Sequence, residues 1–157
     1  SRMDESTDSV MREEFNLSSA VADTVSEFES FAEERSHTLT SSINPSVYYY
    51  GDESLIRRLT AILLDNAIKY CDAGGNIQLS LICRRHPVLT VENTYQDVDK
   101  LELNRLFDRF YRADKARTFS GSFGIGLSIA QSIVKSHKGN IAAYRKSGII
   151  GFRVELK

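Results

Sequence analysis

The order in which strand and helix patterns alternate constrains the fold of this chain more than any other feature. Amphipathic patterns with a period near 3.6 residues predict helices over residues 18–36, 53–70 and 125–138. Runs of β-branched and aromatic residues predict strands over residues 38–43, 47–50, 77–83, 88–91, 140–146 and 151–156. Because the strands cluster in hairpins with helices between them, we predict an α+β fold. It would be a two-layer sandwich, with a mixed, mostly antiparallel sheet of about five strands covered on one face by three helices.

Local signals set the expected ends of the first elements. Ser18 is predicted to be the N-cap of the first helix, and Asp52 is predicted to be that of the second. The predicted strands over residues 38–43 and 47–50 flank a turn at Asn44-Pro45. We therefore expect two short strands before the second helix.

Composition limits the classes of partner and the number of domains. With 157 residues the chain fits one domain, which we expect to occupy residues 13–157 after a tail, disordered or left from expression, over residues 1–12. The net charge of -1 supplies no overall basic field for nucleic acid or an anionic membrane, so any anion site must be local. No apolar run reaches the roughly 20 residues that span a bilayer, so we expect the fragment itself not to bind a membrane.

Cysteine and histidine spacing indicates no metal centre. Cys71 and Cys83 fit no CxxC or Cys/His motif and are predicted to be reduced thiols. His37, His86 and His137 have no i, i+4 partner for a metal and no arrangement typical of a catalytic triad. We expect each histidine to be a surface or helix-end residue.

A glycine-rich stretch, GSFGIGLSI over residues 121–129, leads into the last predicted helix. Glycines let backbone N–H groups converge on an anion, and the positive end of the helix dipole points to the same place. The spacing GxxGxG matches neither the dinucleotide fingerprint nor the P-loop. By itself the stretch is equally consistent with a phosphate site and with an ordinary turn or close helix packing.

A short polar face interrupts the apolar pattern of the helix predicted over residues 53–70. Asn66, Lys69 and Tyr70 stand at positions i, i+3 and i+4, and they carry a neutral oxygen ligand, a cation and an aromatic hydroxyl. In one interpretation Asn66 satisfies a buried backbone group while Lys69 extends its amine to solvent. In the other, Asn66 coordinates Mg²⁺ and Lys69 contacts a phosphate.

Three segments resemble, in their order and spacing, the sequence boxes of sensor histidine kinases. LTAILLDNAIKY (59–70) resembles the asparagine box, LFDRFYRADKAR (106–117) the phenylalanine box, and GSFGIGLSIAQSIVKSHKGNI (121–141) the second glycine box. EFNLSSAVADTV and VYYYGDESLIRRL resemble the beginning of the same catalytic and ATP-binding domain, so the resemblance covers residues 13 to 157. It implies a Bergerat fold, as in gyrase-like and Hsp90-like ATPases, with ATP between two helices under a flexible lid.

The same resemblance implies ATP and Mg²⁺ as ligands and gives particular residues a role. Asn66 matches the magnesium ligand, Lys69 a phosphate contact, and Tyr70 an aromatic residue that packs on the nucleotide. The lid cations and the glycine end of the lid would receive phosphate oxygens; these residues are Arg109, Arg112, Lys115, Arg117, Gly121, Ser122, Gly124, Gly126 and Leu127. Phe107 and Phe110 would anchor the near end of the lid.

The first glycine box of the family, a DxGxG stretch after the central strand, is altered in this chain. The sequence there is VENTYQDVDKLELNRLF, which contains no glycine. Asn93 replaces the aspartate that accepts a hydrogen bond from the adenine amino group, and Tyr95 and Asp97 replace the two glycines. An asparagine oxygen can still accept that bond, but without a negative charge the expected affinity is lower. Residues 93–100 are otherwise predicted to form a polar loop.

Two further positions depart from the family pattern. Ile62 stands one turn before Asn66, where the family often has an asparagine or an acid, so water activation of the gyrase kind is not expected. Ser122 stands where a second glycine is usual. No histidine has the His-acid-xxx-Pro context of the phosphoacceptor helix, and we expect no catalytic residue in this chain.

The resemblance implies an enzyme fragment: the Mg·ATP-binding catalytic domain of a two-component sensor histidine kinase. It would donate the γ-phosphate to a histidine on a dimerisation domain of the same parent chain, with a response regulator downstream. The domain would be cytoplasmic and its parent anchored in the cell membrane. One alternative is a degenerate regulatory or scaffolding domain of the same fold, motivated by the altered first glycine box. A hydrolytic ATPase is a third interpretation, which Ile62 disfavours.

Overall fold

A computed structural model of the chain describes residues 10–108 and 125–157. Within these residues the strands are β1 (Glu13–Asn16), β2 (Thr38–Ile43), β3 (Tyr48–Gly51), β4 (Asn76–Cys83), β5 (Pro87–Thr94), β6 (Asn140–Lys146) and β7 (Ile149–Glu155). The α-helices are α1 (Leu17–Glu34), α2 (Glu53–Tyr70) and α3 (Ile125–Ser136). Short 3₁₀ turns cover Val98–Lys100 and Leu103–Arg105.

Five strands form the main sheet in the order β2-β4-β5-β7-β6. β2 is parallel to β4, and every other neighbouring pair is antiparallel. The β6–β7 hairpin closes through Gly148, whose φ of 69° lies in the left-handed region that favours glycine. The predicted α+β fold, with a mixed, mostly antiparallel sheet of five strands and three helices, is confirmed.

The core lies between the sheet and the helix layer. Alternate residues of the strands face the helices, as the period of two requires, and the fully buried ones include Ile77, Leu79, Leu81, Leu89 and Val91. The helices contribute Leu17, Val21, Ile56, Leu59, Leu63, Ala130 and Ile133. No helix within residues 10–108 or 125–157 is both long enough and apolar enough to cross a bilayer.

The N-cap of α1 is Asn16, so the prediction of Ser18 was wrong. Asn16 has an extended backbone at the end of β1, and its Oδ1 accepts the N–H of Ser19 at 3.0 Å. The Ser18 hydroxyl instead donates to the carbonyl of Asn44 at 2.6 Å and accepts the N–H of Val47 at 2.9 Å. A tertiary contact with the turn before β3 therefore uses the side chain that local propensity favoured as a cap.

The two short strands before α2 were predicted correctly, but they belong to different sheets. β2 is an edge strand of the main sheet, whereas β3 pairs antiparallel with β1 in a separate two-stranded sheet. The Ser18 contacts hold the intervening turn against the start of α1, which directs β3 away from β2. Asp52 caps α2 immediately after β3, as predicted.

The segment after β5 is less polar in structure than its sequence suggested. Asn93 and Thr94 still belong to β5, and Tyr95 and Val98 are buried, with 8% and 3% of their surfaces exposed. The N–H of Tyr95 donates to the carbonyl of Gly148 at 2.9 Å, which continues the pairing of β5 with the β6–β7 hairpin. The prediction of a polar loop over residues 93–100 was therefore wrong for these residues.

The three histidines occupy different environments. His37 and His86 are half-buried, and His37 Nε2 lies 3.1 Å from the carbonyl oxygen of Ile68. His137 follows the end of α3, as predicted, but it is 2% exposed and is not a surface residue.

Candidate functional site

The polar face predicted on the second helix lies in the C-terminal half of α2, where Asn66, Lys69 and Tyr70 are each half-buried. Lys69 Nζ lies 3.1 Å from Asp65 Oδ2, and its side chain is 19% exposed, so the amine is held along the helix. Within residues 10–108 and 125–157 we find no hydrogen bond that uses the Asn66 side chain. The interpretation in which Asn66 satisfies a buried backbone group is therefore without support in the described part of the chain.

The beginning of α3 lies beside this face. A Cβ atom at Gly126 would lie 3.4 Å from Cγ2 of Ile62, which is one helical turn before Asn66. Leu127, the next residue of α3, is buried with 7% of its surface exposed. The positive end of the α3 dipole therefore lies next to the polar face of α2, an arrangement that favours an anion.

Asn93 lies near the end of β5 and faces the helix layer together with Leu89 and Val91. It is 2% exposed, and its Nδ2 donates to the carbonyl of Thr94 at 3.2 Å. The NH₂ group of the Asn93 side chain therefore has a hydrogen-bond partner inside the protein. Oδ1 is the acceptor atom on the other side of the amide.

Asp72 joins the end of α2 to the end of β5. Its carboxylate accepts the N–H of Gln96 at 2.6 Å, and its own N–H donates to the carbonyl of Thr94 at 3.0 Å. Both bonds hold the end of β5, which includes Asn93, beside the end of α2. Sequence reasoning missed Asp72; the available signal was a carboxylate directly after a helix and before a turn with two glycines.

The segment that follows β5, residues 95–101, is packed against the hairpin β6–β7. Tyr95 is buried, whereas the side chain of Asp97 is 57% exposed and lies 3.7 Å from Nζ of Lys100. The guanidinium of Arg145 donates to the carbonyl oxygens of Val98 and Leu101 at 3.2 Å and 3.1 Å. Sequence reasoning also missed Arg145, because its partners are backbone atoms more than forty residues away.

The remaining predicted nucleotide contacts fall on residues 109–124, which are outside the described residues. These are Arg109, Arg112, Lys115, Arg117, Gly121, Ser122 and Gly124, together with the proposed lid anchor Phe110. Phe107, the other proposed anchor, is half-buried, and its ring meets that of Phe152 edge-on at a centroid distance of 5.9 Å. The structure thus brings together Asn66, Lys69, Tyr70, Gly126 and Leu127 on the two helices, with Asn93 at the neighbouring strand end.

Residues 51–157 match a family model described as histidine kinase-, DNA gyrase B-, and HSP90-like ATPase. The chain belongs to this ATPase family. The chain is also 39% identical to the sensor protein DltS of Streptococcus agalactiae over 157 residues, which is 99% of the chain and 40% of DltS. It is 37% identical to the histidine-protein kinase BaeS of Escherichia coli over 121 residues, which is 75% of the chain and 26% of BaeS.

Solved structures of histidine kinases share the fold of this ATPase domain. The catalytic domain of the histidine kinase ThkA superposes with a TM-score of 0.81 at 20% identity, covering 93% of this chain and 95% of the solved ThkA domain. The solved chain of the mycobacterial sensor histidine kinase MprB gives a TM-score of 0.80 at 21% identity, with 92% of this chain and 97% of the solved chain covered. The chain is therefore an ATPase domain of this family with the fold of histidine kinase catalytic domains, and it spans about two fifths of the length of DltS.

Two titratable groups of this ATPase domain whose pKa values are shifted, Glu92 and Tyr144, lie away from the candidate site. Burial would raise the pKa of Glu92, but an ion pair with Lys146 at 2.8 Å and a hydrogen bond from Tyr144 together lower it below its usual value. Glu92 points to the sheet face opposite to Asn93. Near the site, burial raises the pKa of Cys71, so its thiol is neutral and unsuited to nucleophilic chemistry.

Proposed function

We propose that this chain binds Mg·ATP between α2 and α3 and that its parent uses the γ-phosphate to phosphorylate a histidine. The supporting observation is the juxtaposition of the polar face of α2 with the N-terminal end of α3, through Ile62 and Gly126. We call the face with Asn66, Lys69 and Tyr70, together with the start of α3, the phosphate side. We call the end of β5 and the segment up to Leu101 the base side.

Asn66 fits a magnesium ligand on the phosphate side. Its side-chain oxygen is neutral and half-buried, and no hydrogen bond occupies it among the described residues. Mg²⁺ takes few protein ligands and completes its shell with water and phosphate oxygens, so one amide oxygen beside a phosphate site is sufficient. When bound, Mg²⁺ would neutralise phosphate charge; Lys69 would contribute a cation and the start of α3 its backbone N–H groups.

Asn93 would receive the base on the base side, with Oδ1 accepting from the adenine amino group while Thr94 holds Nδ2. Tyr70 would pack on the nucleotide. The lid residues Arg109, Arg112, Lys115, Arg117, Gly121, Ser122 and Gly124 would add phosphate contacts, and Gly126 and Leu127 would complete the glycine end.

The residues of this chain would act by positioning and charge neutralisation, without a covalent intermediate. We propose that residues 13–157 form this domain. Its partners would be the dimerisation and phosphoacceptor domain of the same parent, which supplies the histidine, and a response regulator downstream. The parent would be anchored in the cell membrane with this domain on the cytoplasmic side.

Calorimetric titration of the chain with Mg·ATP tests the proposed function. Wild type should bind saturably, and Asn66→Ala should bind at least about tenfold more weakly, because loss of a charge-assisted contact costs about 1.5–3 kcal/mol. Asn140→Ala is the matched control, since Asn140 is exposed on the distant strand β6. No saturable binding by wild type would contradict the proposal.

A second candidate function is a regulatory or scaffolding domain that no longer binds nucleotide. The burial of Tyr95 and the contacts of Arg145 favour it, because they pack the segment that replaces the first glycine box. In this case wild type should show no heat of binding with either ATP or ADP. Binding at micromolar concentrations would remove the main support for this alternative.

A further inference from the structure

Backbone and side-chain hydrogen bonds join α2 and α3 at the ends opposite to the phosphate side. The N–H of Asp52, the N-cap of α2, donates to Nε2 of the buried His137 at 3.1 Å. His137 Nδ1 lies 2.9 Å from the carbonyl oxygen of Ile133, so it carries the proton and donates to that oxygen. His137 is therefore a neutral bridge between the start of one helix and the end of the other.

The N-terminal arm, residues 10–12, is bonded to both helices at this junction. The N–H of Met11 donates to Oδ2 of Asp52 at 3.0 Å, while Oδ1 of the same carboxylate accepts the N–H of Leu55 at 3.1 Å as the helix cap. The guanidinium of Arg12 donates to the carbonyl of Ser136, the last residue of α3. Arg12 thus supplies a cation where the α3 dipole is negative.

The junction is tightly packed around His137. The ring of Tyr49 lies 5.9 Å from that of His137, and the Tyr49 hydroxyl donates to the backbone carbonyl of Lys157 at 3.1 Å. A Cβ atom at Gly51 would lie 2.9 Å from Cδ2 of His137 and closer still to the Tyr49 ring, so only glycine fits there without movement. The imidazole of His137 therefore has little room to move between the Tyr49 ring and the backbone of Gly51.

The junction and the phosphate side lie at opposite ends of the same antiparallel helix pair. Asp52 precedes Ile62 by ten residues and His137 follows Gly126 by eleven, which corresponds to about 15 Å and about 16 Å along the helices at 1.5 Å per residue. Two contacts join the helices, one between Asp52 and His137 and one between Ile62 and Gly126. Both therefore depend on the axial register, which is the position of α3 along the axis of α2.

We propose that Arg12 and His137 are positioning residues, which fix the axial register of α3 against α2 and so couple docking of the N-terminal arm to nucleotide affinity. The inference rests on the proposed function for the identity of the ligand. Small helix shifts at packed interfaces are a common means of coupling two sites, and such coupling is reciprocal. Bound Mg·ATP should therefore strengthen docking of the arm.

Calorimetry on arm variants tests the coupling. Arg12→Met should lower the affinity for Mg·ATP about fivefold at a temperature where the chain is fully folded, whereas Arg12→Lys, which keeps a cationic donor, should stay within about twofold of wild type. Arg58→Met, which removes an exposed arginine of α2, is the matched control and should leave the affinity unchanged. Equal affinities of Arg12→Met and wild type would overturn the coupling.

Hydrogen exchange separates this inference from the proposed function. In wild type, saturating Mg·ATP should slow exchange of the Met11 and Asp52 amides, which donate to Asp52 Oδ2 and His137. Without nucleotide, Arg12→Met should speed hydrogen exchange of the amides in the first turns of α3. The increase should be larger than that for the amides of β4. If wild type binds no nucleotide, the proposed function fails. If Arg12→Met leaves α3 exchange unchanged, the positioning role fails regardless of ligand.

Discussion

The two asparagines of the candidate site, Asn66 on the phosphate side and Asn93 on the base side, differ in whether the protein uses their side chains for hydrogen bonds. On the phosphate side Asn66, Lys69 and Tyr70 are half-buried, and the Asn66 side chain has no hydrogen bond within the described residues. On the base side Asn93 is 2% exposed and bonded to Thr94. A substitution of Asn66 should therefore change ligand affinity with little effect on stability. A substitution of Asn93 should change both stability and ligand affinity.

The largest expected effect is a loss of stability on the base side. Tyr95→Gly removes a buried aromatic side chain and should lower the free energy of unfolding by about 3–5 kcal/mol. Urea denaturation measures this change. Asp97→Gly, at an exposed position of the same segment, is the control and should cost less than about 1 kcal/mol. Equal effects at both positions would show that Tyr95 does not support the fold.

A smaller loss of stability is expected for Asn93→Asp. The substitution removes the donor to the Thr94 carbonyl and buries a carboxylate beside it, which should cost about 1–3 kcal/mol without nucleotide. If the carboxylate accepts from the adenine amino group, Mg·ATP should raise the melting temperature of the variant more than that of wild type. A smaller nucleotide-induced shift in the variant would contradict placement of the base at Asn93.

The junction at the far ends of α2 and α3 resembles the base side, because its polar groups are bonded within the protein. Burial lowers the pKa of His137 below its ordinary value of 6.5, with Arg12 lowering it further and the hydrogen bond to Ile133 and the Asp52 carboxylate opposing this. The Tyr49 ring also faces the imidazole. The folded protein therefore resists protonation of His137 more strongly than the unfolded chain does.

The contribution of neutral His137 to the free energy of unfolding should consequently be fully present above pH 6.5. It should fall as the pH decreases from 6.5 towards the lower pKa of folded His137, because in this range the unfolded state gains a proton that the folded state does not. Denaturant unfolding between pH 7.5 and about pH 5.5 measures the decrease. His137→Gln, which cannot titrate at this position, should show a shallower pH dependence than wild type. Identical slopes would exclude His137 as the source.

The smallest expected effect is on the phosphate side. Asp65→Asn breaks the ion pair with Lys69, which should change the free energy of unfolding by no more than about 0.5 kcal/mol. Because Lys69 is then free to contact a phosphate, the affinity for Mg·ATP should rise about twofold. Asp23→Asn alters the net charge equally and breaks an ion pair with Arg57 away from the site, so it should leave the affinity unchanged. Equal gains in both variants would indicate a general charge effect.

Local pattern was sufficient for the kinds of element and for much of the candidate site. Period and turn chemistry predicted the three helices, the hairpins β4–β5 and β6–β7 and the Asp52 cap, because these depend on residues near in sequence. The Ser18 cap was wrong, because a contact with Asn44 and Val47 competes for its hydroxyl. The prediction of a polar loop over residues 93–100 was wrong for a similar reason. The backbone N–H of Tyr95 donates to the carbonyl of Gly148, a partner that is distant in sequence.

By itself, the sequence determined the α+β class, the one-turn face of Asn66, Lys69 and Tyr70, and the absence of glycine from residues 93–108, since each is a matter of residue type and spacing. Only the tertiary structure decided that β2 and β3 enter different sheets, that Gly126 lies against Ile62, and that Asp72 and Arg145 hold the base side. It also placed His137 between Asp52 and Ile133. The physical reason is that partners of a buried polar group are chosen by packing across the whole chain, which neighbouring residues do not specify.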